Sequence, residues 1–233
     1  DKVHSMEAEF ASPQWVFGMS TYSFLDRFSL FCCYTQNGRW YGATINLLTN
    51  HFEALNLPYS SVRSIHANDT SASAIFIASD YNQLDNIVQW HDHQLQTIRT
   101  SGELAIAASE FSKPIAKSFT NNKTQEVHGF YYAPYNSQYT APQDSKPPLL
   151  VICHGGPTGA TSSALNLKIK YWTSRGFAAF DINYSGSTGY GRISRAALKR
   201  QSGLADADDV CAGATLISGQ GFADPQRLAV RGS

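Results

Sequence analysis

The sequence predicts two compositional halves: an all-β half over residues 1–105 and an α/β half over 147–233, joined by a connector over 106–146. Three observations carry this division. In the first half, aromatic and β-branched clusters recur at roughly ten-residue spacing between polar turns. In the second, continuous apolar runs alternate with helical patterns, which is how a parallel sheet covered on both faces is written. The 233 residues are 42% hydrophobic and 15% charged, the composition of a globular protein of one or two domains.

The β half is justified strand by strand. Apolar clusters stand at Trp15-Val16-Phe17, at Phe28-Ser29-Leu30-Phe31 and at Ala74-Ile75-Phe76-Ile77-Ala78. Asn37-Gly38 lies between 31–35 and 40–45, and this dipeptide adopts the positive φ angles of a type I′ hairpin. Residues 74–78 pair in the same way with 86–90, followed by 94–99. These strands suffice for about two four-stranded blades, fewer than the roughly four to eight of a closed propeller. Adjacent Cys32 and Cys33 point to opposite faces of a strand. Without a CxxC, all four cysteines read as reduced and mostly buried thiols. His91-Asp92-His93 places two histidines on one strand face. A zinc site needs three or four ligands, so a polar hairpin edge is the simpler expectation.

The α/β half begins with Leu149-Leu150-Val151-Ile152-Cys153, a strand apolar on both faces. Leu165, Ile169 and Trp172 predict a helix capped within Thr161–Ser163 and stopped at Gly176. A second buried strand covers 177–182. A short helix is expected over Ile193 to Arg200, and a longer one from Ala205. Asp206, Asp208 and Asp209 crowd the first turn of that helix, where its dipole favours negative charge. Ala207, Val210, Cys211, Ala214 and Ile217 form its expected apolar stripe. A third buried strand covers 227–231. In the connector, Phe130-Tyr131-Tyr132 reads as a strand and 135–148 as a Pro/Ser/Gln-rich loop.

The chemistry-bearing segment is His154-Gly155-Gly156-Pro157-Thr158-Gly159, between a strand and a helix. Such a loop offers backbone N–H groups to an anion. An oxyanion-binding loop and a dinucleotide phosphate loop both use this position. The glycine spacing weighs against the dinucleotide, because G-x-G-x-x-G aligned on Gly156 and Gly159 needs glycine where His154 stands. A purely conformational role for the glycines stays open. Gly232-Ser233 follows the third strand, where a G-x-S-x-G nucleophile elbow belongs. With Gly232 as its first glycine, the nucleophile is expected at position 234. Its acid and histidine are expected later still, so the chain itself is expected to be inactive.

His154-Gly155-Gly156-Pro157, Arg175-Gly176-Phe177-Ala178 and the run from Asn183 to Arg192 resemble the prolyl oligopeptidase family of serine peptidases. Gly203, Asp206, Asp209 and the run from Gly221 to Ser233 continue the resemblance, which is similar to acylaminoacyl-peptidase and dipeptidyl-peptidase-like members. It implies a β-propeller fragment followed by the N-terminal half of an α/β-hydrolase domain, a three-layer α/β sandwich. On that resemblance, residues 1–105 correspond to C-terminal propeller blades, and 106–146 to a connector with the first hydrolase strands. It implies hydrolysis of short peptides through an acyl-enzyme, with no cofactor. Gly156 and His154 correspond to the oxyanion hole, and Gly155, Pro157, Asn183, Tyr184 and Tyr190 to active-site loops. Ser185 stands where the family commonly has arginine, and Ser202 where an aromatic is frequent. Two other readings remain: a carboxylesterase, and a noncatalytic propeller-based binding protein.

The charges exclude broader classes. Eighteen Lys+Arg balance eighteen Asp+Glu, which removes the general electrostatic drive toward nucleic acid or an anionic membrane. No apolar run approaches the roughly 18 residues of a membrane span, and no basic-then-apolar leader opens the chain, so a cytoplasmic setting is expected. Open sheet edges predict that a homo-oligomeric partner or a C-terminal portion covers them.

Overall fold

The structure is a computed structural model and describes residues 2–13, 17–156 and 158–232. Trp15, Val16, Pro157 and Ser233 lie outside the described residues. The chain forms two compact units. The first comprises 1–105 with 162–165 and 189–191, and the second comprises 106–161, 166–188 and 192–233.

The first unit holds two four-stranded antiparallel sheets in sequential order. One contains β1 (Tyr22–Phe24), β2 (Ser29–Gln36), β3 (Arg39–Asn46) and β4 (His51–Leu55). The other contains β5 (Ser61–Asn68), β6 (Ser73–Asp80), β7 (Gln83–His91) and β8 (Gln94–Thr100). No closed propeller is formed among the described residues. The β2–β3 turn is the expected one, with Gln36 opposite Arg39, Asn37 at φ 52° and Gly38 at φ 73°. The β6–β7 register places Ala74 opposite Trp90 and Ala78 opposite Asn86.

Period-2 alternation splits β2 between two cores. Phe31 and Cys33 join Val62, Ile65, Phe76 and Val88 between the sheets, where the Phe31 and Phe76 rings stack 5.3 Å apart. Leu30, Cys32 and Tyr34 face the other way, against Met6, Ala8 and Phe10. Cys32 and Cys33 therefore do point to opposite faces, and burial raises both thiol pKa values, that of Cys32 to about 12. All four cysteines are free, but Cys153 is half-buried and Cys211 is exposed, so only two are buried. His91 and His93 do not share a strand face. His91 ends β7, while Asp92 and His93 form a turn at φ 47° and 60°.

The second unit is built on a five-stranded sheet ordered β13-β11-β12-β10-β9. Its strands are β9 (Ile115–Thr120), β10 (Glu126–Tyr132), β11 (Leu149–Cys153), β12 (Ala178–Asn183) and β13 (Leu228–Arg231). β11 runs parallel to both β12 and β13, whereas β10 is antiparallel to β9 and β12. Helix α1 (Leu167–Thr173) packs Ile169 on one face, against Phe130, Tyr132 and Ala179. α2 (Gly191–Ala197) is short. α3 (Ala205–Gly219) packs Val210, Ala214 and Ile217 on the opposite face, against Leu149, Val151 and Phe180.

Three local expectations are corrected. Helix α1 starts at Asn166, whose side chain accepts from the Lys168 N–H at 3.0 Å, and not within Thr161–Ser163. Thr161 is held by residues of β12 instead, leaving it unable to cap. Ala207 and Cys211 are exposed, and the inward stripe of α3 includes Ala205, Asp209 and Gly213. Strand β13, expected to be buried, is the outermost strand among the described residues and is exposed there, with Val230 at 61%.

Candidate active site

β11 and β12 are adjacent and parallel, so the loops leaving their carboxyl ends emerge at one edge of the sheet, where open α/β sheets place ligands. The first loop runs from His154 and the second from Tyr184. The structure brings these two residues together: their rings stack with centroids 4.4 Å apart and planes 14° from parallel. The Tyr184 hydroxyl shares its one proton between the His154 carbonyl at 2.9 Å and the Gly156 carbonyl at 3.0 Å.

Both ring nitrogens of His154 have hydrogen-bond partners. Ser187 donates its only hydroxyl proton to the Tyr184 carbonyl at 2.7 Å. Its oxygen lies 2.8 Å from His154 Nε2, and the Gly155 carbonyl lies 3.2 Å from Nδ1, so either neutral tautomer has its one N–H engaged. Burial lowers the His154 pKa, opposed in part by the Gly155 carbonyl, so the ring is neutral at neutral pH. The one ring N–H is thus engaged, and the backbone carries the open donors. Among the described residues, neither the Gly155 nor the Gly156 N–H has a protein acceptor, and both residues are exposed. Gly156 sits at φ +67°, with nothing within 4 Å of where a Cβ would stand. That conformation is the reason for glycine here.

The far end of the first loop is fastened to β12. Asn183 accepts from the Thr161 N–H at 2.8 Å and donates to the Thr161 carbonyl at 3.2 Å. The Thr161 hydroxyl donates to Asp181, two residues earlier on the same strand face. Asp181 is 3% exposed, and burial raises its pKa to about 6 against the opposing Thr161 hydrogen bond. The second loop has its own anchor in Asp209. This carboxylate accepts from the Ser185 N–H at 2.8 Å and from Asn121 Nδ2 at 2.7 Å. Asp209 is fully buried, so it is an internal tether and more than a charge complementing a helix dipole.

Gly155, Gly156, Asn183 and Tyr184 thus converge with His154, while Pro157 lies outside the described residues. Tyr190 belongs to the first unit, where the flanking Gly189 and Gly191 N–H groups donate to Glu9 at 2.8 and 2.9 Å. Sequence reasoning missed Ser187, Thr161 and Glu9, and gave Asp209 the wrong setting. Ser187 and Asp209 do stand inside motif runs, which was the available signal. No group of three or more His, Cys, Asp or Glu able to hold a metal occurs among the described residues. No helix there is long and apolar enough to cross a membrane.

Residues 163–233 match the Prolyl oligopeptidase family. A puromycin-hydrolyzing peptidase of Mycobacterium tuberculosis aligns with a TM-score of 0.93 and 32% identity, over 99% of this chain and 36% of its own. Acylamino-acid-releasing enzyme 1 of Oryza sativa subsp. japonica is 23% identical over 184 residues, which is 78% of this chain and 24% of the relative. The acylamino-acid-releasing enzyme of Arabidopsis thaliana is 28% identical over 129 residues, or 55% and 16% respectively. The chain therefore spans about a quarter of the rice relative and about a third of the mycobacterial one. A family match over residues 163–233 and a fold match through nearly the whole chain point the same way: the chain is similar to serine peptidases of the prolyl oligopeptidase family.

Proposed function

We propose that the second unit supplies the oxyanion-binding side of a serine peptidase that cleaves short peptides through an acyl-enzyme. The observation that carries this is the pair of exposed N–H groups at Gly155 and Gly156, without an acceptor among the described residues, next to the strand after which the motif expects a nucleophile elbow. β13 runs parallel to β11 with Ile152 opposite Arg231. Continued in step, that register sets position 155 opposite position 234, where the motif expects the serine. Attack by that serine on a peptide carbonyl generates a tetrahedral oxyanion. The Gly156 N–H donates to it, together with the N–H of the residue after the serine. The general base and its acid follow the nucleophile in the family's order.

The two four-stranded sheets of residues 1–105 are the counterpart of propeller blades that screen substrates by size. Residues 106–146 supply the connector and the first hydrolase strands, and 147–233 the first half of the hydrolase. Names of relatives indicate what is released or cleaved: an acylated amino acid is released by the plant enzymes, and puromycin is hydrolysed by the mycobacterial one. A blocked or free aminoacyl residue on an amide bond is the substrate class this favours.

The test uses the full-length polypeptide that carries residues 1–233. It is assayed with acylaminoacyl and dipeptidyl p-nitroanilides, puromycin and a p-nitrophenyl ester, and is labelled in parallel with a fluorophosphonate. Amide hydrolysis with labelling at position 234 supports the peptidase. Ester hydrolysis alone assigns a carboxylesterase. Neither labelling nor turnover assigns a noncatalytic binding protein.

A further inference from the structure

Two consecutive glycines are a poor place for a preorganised donor unless something outside them fixes their torsions. Glycine is the residue with the widest backbone freedom, and an oxyanion donor is effective only when held in place before the reaction. The structure contains such a fixture. The Tyr184 hydroxyl reaches the carbonyl before Gly155, at 2.9 Å, and the carbonyl of Gly156, at 3.0 Å. These two carbonyls bracket the Gly155–Gly156 peptide. Holding both on one oxygen restricts rotation of the unit between them.

The hydroxyl is itself well located. Tyr184 is 7% exposed, and its ring lies flat on the His154 imidazole. That imidazole is held in turn by a 2.8 Å hydrogen bond between Nε2 and the hydroxyl of Ser187, which is fully buried. The Ser187 proton returns to the Tyr184 carbonyl, so the three residues close a ring of interactions. The Tyr184 proton faces the two carbonyls, with His154 Nδ1 at 3.4 Å. Ionising the phenol would place an anion against two carbonyls. Burial already raises its pKa above the usual tyrosine value, followed by the charges of Cys153 and Asp206.

We propose that Tyr184, backed by Ser187, is the positioning residue that sets the Gly155–Gly156 peptide for oxyanion binding. This rests on the peptidase reading above. Tyr184 touches no reacting atom and acts through the loop, so its effect belongs to the transition state and not to substrate binding.

The test is kinetic and uses the full-length polypeptide. Tyr184→Phe keeps the ring and its stacking on His154 while deleting the hydroxyl. Ser187→Ala keeps Tyr184 while releasing the imidazole. A lost hydrogen bond that serves only the transition state lowers kcat and kcat/KM together, by about tenfold for Tyr184→Phe and about threefold for Ser187→Ala, with KM unchanged. Affinity for a peptide boronate, which mimics the tetrahedral adduct, falls by the same factors. Affinity for a product peptide does not change. A purely structural role shifts the thermal midpoint without this division between kcat and KM. If Tyr184→Phe does not fold, Ser187→Ala decides the matter alone. Folded variants with wild-type kcat and boronate affinity, or with a change confined to KM, overturn the proposal. A wild-type polypeptide without turnover or fluorophosphonate labelling overturns the peptidase reading and the positioning role together.

Discussion

Phe180 shows how single residues fix the sheet that carries the site. Its ring is fully buried and lies between two glycines. A Cβ at Gly129 would meet Phe180 ring atoms at 2.7 Å and the Asp181 carbonyl at 2.8 Å, and one at Gly213 would meet the ring at 2.8 Å. Neither the ring nor the backbone carbonyl has room to withdraw. Gly129→Ala is therefore expected to lower stability by about 1–3 kcal/mol, the cost of overpacking a closed core. Urea unfolding followed by circular dichroism measures this, and an unchanged midpoint would refute the packing argument. Neither glycine was legible in the sequence, because the atoms that exclude a Cβ are brought there by β12. Asp209 teaches the same lesson. The sequence places it in the first turn of a helix, but its partners Asn121 and Ser185 lie 88 and 24 residues away. Helical spacing alone does not select which of three nearby aspartates turns inward.

Elements written by local chemistry were the legible ones. The β2–β3 hairpin follows from Asn37-Gly38, whose φ angles of 52° and 73° are those of a type I′ turn. Gly38→Ala puts a Cβ into the left-handed region and is expected to destabilise the first unit by about 1–2 kcal/mol. Asn37→Gly at the neighbouring position is expected to be nearly neutral by comparison. Denaturant unfolding of the two variants should differ accordingly, and equal midpoints would count against the turn assignment. Helix α1 was legible in existence but not in its start. Thr161 and Asn166 are both competent caps in sequence, and Thr161 is diverted to Asp181 and Asn183. The apolar run of β13 was legible as a strand.

At the scale of the molecule, the site was legible as a loop and illegible as a mechanism for holding that loop. His154 to Gly159 are contiguous, so their strand-to-helix setting could be read directly. Asp181, Asn183, Tyr184 and Ser187 act on them from a neighbouring strand through tertiary hydrogen bonds. One consequence reaches global stability. Burial pushes the Asp181 carboxyl up to about 6 in the fold, from an ordinary value of 3.8. The folded state therefore binds this proton more tightly than the unfolded chain between about pH 4 and 6. The burial penalty of the carboxylate is fully present above that window and is relieved as pH falls through it, to an extent of about 3 kcal/mol. His128 and His154, whose pKa values burial lowers, act in the opposite direction on acidification, so the wild-type profile alone mixes the two. Asp181→Asn separates them, because it keeps an acceptor for the Thr161 hydroxyl and removes the titration. Relative to wild type, the variant should gain stability steadily as pH rises from 4 to 7 and then hold constant. Thermal unfolding of both proteins at half-unit intervals from pH 4 to 8 measures the difference. A flat difference across that range would mean that Asp181 does not titrate in the fold as its burial requires.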